Sequence, residues 1–74
     1  HFQQYGLSER QLKALVHINH STIGISNVEY RGINNMTDVG DDRRAKNELV
    51  RLVRLGIIKK VGANRNRRYI FVDK

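Results

Sequence analysis

The sequence predicts a small α+β domain: three helices, a short extended segment between the first two, and a C-terminal β-hairpin. Three observations predict it. Ser8-Glu9-Arg10-Gln11 and Ser26-Asn27-Val28-Glu29 are Ser-x-x-Gln/Glu capping boxes, which open helices. Ala45, Leu49, Leu52 and Val53 recur at the i, i+4, i+7, i+8 spacing of a third helix. Ile57–Val61 and Tyr69–Val72 are rich in β-branched and aromatic residues and flank a loop of Gly and Asn, as hairpin strands do. Seventy-four residues suffice for one domain, and with no cysteine there is neither a disulfide nor a thiolate metal site to staple it. The fold must rest on apolar packing, for which 39% hydrophobic residues are enough.

Residues 1–6 read as a flexible tail and residues 7–74 as the folded domain. The chain begins at His1, so the domain is expected to be the C-terminal piece of a longer protein. Leu7 and Leu12 occupy the two positions of a hydrophobic staple around Ser8. Behind them Leu12, Leu15, Val16 and Ile18 carry the first helix over residues 9–19. Thr22–Ile25 is long enough for one small extended segment. The second helix runs from Ser26 to about Ile33, and Asn34–Gly40 is a polar connector in which Met36 is the apolar candidate for burial. Asp38, Asp41 and Asp42 supply N-cap and first-turn carboxylates to the third helix, and Gly56 supplies its stop. The expected core is Leu12, Leu15, Val16, Ile25, Val28, Tyr30, Ile33, Leu49, Leu52, Val53, Ile58 and Phe71.

Charge is divided unevenly along this frame. Residues 1–42 carry three Lys/Arg against five Asp/Glu, whereas residues 43–74 carry eleven against two, within an overall net charge of +7. So basic a block inside a foldable domain points to a polyanion, above all nucleic acid. Solubility alone asks for less charge than this.

The order helix, short strand, helix, turn, helix, strand, basic loop, strand is that of the winged helix-turn-helix. Its third helix enters the major groove, and its hairpin, the wing, reaches a neighbouring groove or the backbone. Ser-Glu-Arg-Gln before an apolar helix, Ile25-Ser26-Asn27-x-Glu29-Tyr30, a basic helix ending Leu-Val-x-Leu-Gly-Ile-Ile, and Lys-Lys-Val-Gly together narrow the resemblance. Over residues 7–72 the chain resembles the C-terminal winged-helix module of RecG-like transcriptional regulators, whose N-terminal part is a Schlafen/AlbA-type divergent ATPase domain. It departs from that family between helices 2 and 3. Asn34–Asp41 is several residues longer than the usual turn of the Thr-Gly-Val-Ser type.

At about 100° per residue, the side of the third helix opposite Leu49 is centred on Asn47 and flanked by Arg43, Arg44, Arg51 and Arg54. Lys46 lies towards one flank and Glu48 on the other. Arginine suits guanine, asparagine suits adenine, and the N-terminal turns of such a helix approach the bases. Arg43, Arg44 and Asn47 are therefore the base-reading candidates, Arg51 and Arg54 lie beside phosphates, and Lys46 completes the DNA-binding set of the helix. Lys59, Lys60, Arg65, Arg67 and Arg68 make the wing a second contact, to the backbone or minor groove.

No Gly-rich phosphate loop precedes a helix and no Ser/His/Asp grouping suggests a nucleophile, so no catalytic residue and no cofactor is expected. His17 and His20 read as a surface pair rather than a metal site, and the three aspartates as caps rather than a calcium loop. No apolar run approaches the 18 or so residues of a membrane helix. The expectation is a cytoplasmic, nucleoid-associated module for double-stranded DNA, with homo-oligomerisation left to a region before His1. The alternative is a winged helix used for protein–protein contact or oligomerisation without DNA.

Overall fold

The computed structural model describes residues 6–62 and 67–72. Residues 1–5 of the expected tail, and Arg65 in the hairpin loop, lie outside the described residues. Among those described, three helices, α1 (Glu9–Asn19), α2 (Asn27–Ile33) and α3 (Asp41–Arg54), precede the strands β1 (Ile58–Val61) and β2 (Arg68–Phe71). The strands pair antiparallel, with Ile58 opposite Phe71 and Val61 opposite Arg68. The architecture is a small α+β domain compatible with the expected arrangement.

Both capping boxes form. The Gln11 amide donates to Ser8 Oγ (3.2 Å) while the Ser8 amide donates to Gln11 Oε1 (2.9 Å), and Ser26 and Glu29 repeat the pattern at 3.2 and 3.0 Å. The extended segment reduces to one bridge: the Ile25 amide donates to the Tyr69 carbonyl at 2.9 Å and the Tyr69 amide to the Ile25 carbonyl at 2.8 Å. Gly24 makes this approach possible. Its φ is +85°, and a Cβ there would stand 2.2 Å from the Tyr69 carbonyl oxygen.

Two helices end in the same 6→1 and 5→2 hydrogen-bond pair. At the end of α3, Ile57 donates to the Leu52 carbonyl (3.1 Å) and Gly56, at φ +79°, to that of Val53 (3.0 Å). At the end of α2, Met36 donates to the Arg31 carbonyl (2.9 Å) and Asn35 to that of Gly32 (3.4 Å). Asn35 takes the left-handed position at φ +55°, which asparagine tolerates better than most residues. Met36 is buried immediately beyond it, so the long connector is anchored at its start.

The start of α3 corrects the sequence reading. None of the aspartates is its N-cap. Gly40 holds that position at φ +93° with no side-chain cap, while Asp41 sits one residue inside and its carboxylate accepts the Asp38 amide at 2.9 Å. The core is also displaced from expectation. Leu12, Val16 and Val28 are 37%, 58% and 67% exposed, because α1 buries Gln11, Ala14, Leu15 and Ile18, whose spacing turns Leu12 and Val16 away. In α2, Tyr30 is the buried residue. Ile33, Val53 and Phe71 are partly buried against a core that also includes Ala45, Ile57 and Tyr69.

Candidate nucleic-acid interface

α3 presents two chemically distinct sides. Ala45, Leu49 and Leu52 are fully buried, and Glu48 lies at the margin of this face. Arg10 of α1 donates to both Glu48 carboxylate oxygens, the Tyr30 hydroxyl of α2 donates to Glu48 Oε1, and Gln11 Nε2 donates to the Glu48 carbonyl at 3.0 Å. One glutamate thus joins the three helices. The Arg10 guanidinium, followed by the Tyr30 hydroxyl, holds the Glu48 carboxyl below the usual carboxylate range despite partial desolvation. Burial first, then the bond to Glu48, pushes the Tyr30 phenol upward.

The other acids are engaged similarly. Glu29 accepts from Arg68, which holds its carboxyl below the ordinary range, and lies 3.8 Å from His17 Nε2. Arg68 also donates to the carbonyls of Ile23 (3.0 Å) and Gly24 (3.4 Å), so this residue of the expected wing set ties β2 back to the segment before α2. Asp41 is buried and paired with Arg44. Asp42 lies 3.8 Å from Arg31, whose Nε donates to Asn27 Oδ1 at 2.8 Å, and Asn27 Nδ2 donates to the Asp42 carbonyl at 3.2 Å. These contacts fix the beginning of α3 against α2.

Arg10, Arg31, Arg44 and Arg68 are therefore taken up by carboxylates. On α3 the exposed cations Arg43, Lys46 and Arg54, with exposed Asn47, have no acidic partner among the described residues; Arg51 is exposed on the same helix. Lys59 and Lys60 are exposed on β1, and Arg67 is half-buried at the start of the returning segment. Of the residues predicted to read bases, Arg43 and Asn47 face solvent unengaged, whereas Arg44 is bound to Asp41 while keeping part of its side chain exposed.

Sequence reasoning missed the Glu48 junction. Its signal was a lone acid on the core flank of an otherwise basic helix. Among the described residues, no three His, Asp or Glu side chains converge as a metal site requires. No helix among them is long and apolar enough to cross a membrane. Comparison of the chain with protein-family models, curated proteins and solved structures finds no match.

Proposed function

We propose that the chain is a double-stranded DNA-binding module of winged-helix type, acting by binding rather than catalysis as the DNA-reading end of a transcriptional regulator of the RecG-like kind. In this reading α3 enters the major groove and the β1–β2 hairpin follows the backbone or an adjacent minor groove, in a cytoplasmic, nucleoid-associated setting.

The observation that carries it is the separation of charge by use. Carboxylates neutralise Arg10, Arg31 and Arg68, whose guanidinium groups join elements of the fold, and Arg44, which pairs within α3 with the buried Asp41. Arg43, Lys46 and Arg54, on the outer side of a four-turn helix, have no carboxylate partner among the described residues. Arg43 and Lys46 are like charges at i, i+3, and such spacing destabilises an isolated helix. A polyanion reverses that cost.

The test is an anisotropy titration against random-sequence duplex DNA at two salt concentrations. Binding should weaken steeply with salt, with log K falling against log salt by about 0.9 for each phosphate contact. Arg54→Ala and Lys60→Ala should each flatten that slope. An absence of binding at low salt would overturn the proposal.

A second reading, protein docking or oligomerisation, is favoured by one feature. Leu12 and Val16 of α1 line a shallow apolar groove with Ile33, bordered by Glu9, Lys13 and His17. Self-association abolished by Val16→Glu, with no affinity for DNA, would establish that reading instead.

A further inference from the structure

One line along α3 carries Arg43, Asn47, Val50 and Arg54, at i, i+4, i+7 and i+11. These positions fall within a narrow arc opposite the buried Ala45, Leu49 and Leu52, and they span about 16 Å along the axis. At about 3.4 Å per base step this is the length of roughly five base pairs. The line joins a guanidinium fork, a carboxamide, a branched apolar group and a second fork.

Two of these residues have no explanation in the fold. Asn47 stands in the interior of a helix, where it is a poorer helix former than alanine, and its exposed side chain makes no hydrogen bond among the described residues. Arg43 is exposed beside Arg44 and has no acidic partner among the described residues. Asp41 engages Arg44, one turn along the helix. Arg44 is thereby held to the flank, and the outer line is left to Arg43. Val50, half-buried on the same line, adds an apolar contact that a phosphate-binding surface does not need.

We propose that Arg43, Asn47 and Val50 form the base-reading edge, specific for a major-groove sequence that combines guanine, adenine and a thymine methyl group, with Arg44 excluded from base contact. The proposal rests on the DNA-binding reading above. Arg43 donates both arms of its fork to guanine O6 and N7. Asn47 accepts from adenine N6 and donates to N7. Val50 packs against the thymine 5-methyl. Arg54, one turn farther on, meets a phosphate where the helix leaves the groove. The deep, narrow major groove of A-form RNA would not admit this edge.

The test begins with selection of a preferred duplex from a pool randomised at its centre, using the purified chain. Single atoms of that duplex are then removed: 7-deazaguanine for guanine deletes one acceptor, and uracil for thymine deletes one methyl. Wild type should lose roughly ten-fold affinity at one guanine and about four-fold at one thymine. Arg43→Ala should bind the guanine and 7-deazaguanine duplexes equally, and Val50→Ala should be indifferent to uracil. Arg44→Ala should retain both sensitivities. Full sensitivity to both atoms in Arg43→Ala and Val50→Ala, or equal affinity for an RNA duplex of the same sequence, would overturn the assignment while leaving nucleic-acid binding intact. Failure to bind any pool at low salt would overturn the DNA-binding reading and this one together.

Discussion

The inward and outward faces of α3 use similar residues to opposite ends. Inward, polar groups are saturated: Glu48 receives Arg10 and Tyr30, and Asp41 receives Arg44 and the Asp38 amide. Outward, Arg43, Asn47 and Arg54 face water, with like charges close together. Charge therefore does not by itself mark the working surface. Arg10 and Arg68 are as cationic as Arg43, but their partners already lie within the fold. What marks the outer face is charge and hydrogen-bonding capacity left unspent by folding.

The strongest way to break this comparison is to attack the inward face. Leu49 is fully buried, and Leu49→Ala removes its contacts and leaves a cavity, at a cost of roughly 2–5 kcal/mol. In so small a domain that is a large share of total stability. A melting curve within a degree or two of wild type would show that the inward face is wrongly assigned.

Glu48→Ala should come next, costing about 1–3 kcal/mol, because the Tyr30 hydroxyl and Arg10 lose a charged partner together. The same junction carries a pH signature. Glu48 and Glu29 both have carboxyl groups lowered in the fold. Their contribution is complete above the ordinary carboxylate value of about 4.3 and is lost as pH falls through the lowered folded values. Thermal melts below pH 4 should therefore show falling stability, and Glu48→Gln should make that fall shallower. A variant with the wild-type acid profile would remove Glu48 from the account.

Much of this frame was legible in the sequence because its causes are local. A capping box needs four residues, and Ser8–Gln11 and Ser26–Glu29 placed the starts of α1 and α2. Gly56 placed the end of α3 for the same reason. Local chemistry did not determine which side of α1 would be covered. Leu12 and Val16 are apolar at helical spacing, but α1 turns Gln11 inward so that its side chain meets the Glu48 carbonyl, a contact 37 residues away. The N-cap of α3 went to Gly40 because the connector reaches the helix through a positive φ, which a row of aspartates does not reveal. At the candidate site, Arg43 and Asn47 were visible from helical phase. The diversion of Arg44 and Arg68 into ion pairs depended on tertiary partners.

Adjacent arginines sharpen the contrast. Arg44→Ala should cost about 1 kcal/mol, since it strips the buried Asp41 of its ion pair while the exposed part of Arg44 limits the loss. Arg43→Ala should fall within about 0.5 kcal/mol of wild type in stability. Chemical denaturation of both variants, followed by DNA titration, should separate the roles: stability falls with Arg44, and sequence preference falls with Arg43. Equal stability losses would place both residues in the fold.

The smallest expected effect has the opposite sign. Asn47 is exposed in the interior of α3, away from both caps, and helix propensity favours alanine over asparagine there by roughly 0.5 kcal/mol. Asn47→Ala should therefore raise the melting temperature slightly. It should also cost roughly 1–3 kcal/mol of affinity for a preferred duplex, with a smaller loss on random sequence. A residue that weakens its own helix and strengthens recognition has its reason outside the fold. If Asn47→Ala instead lowers the melting temperature, the side chain is supporting α3, and the division between its two faces fails at the residue on which the outer face is centred.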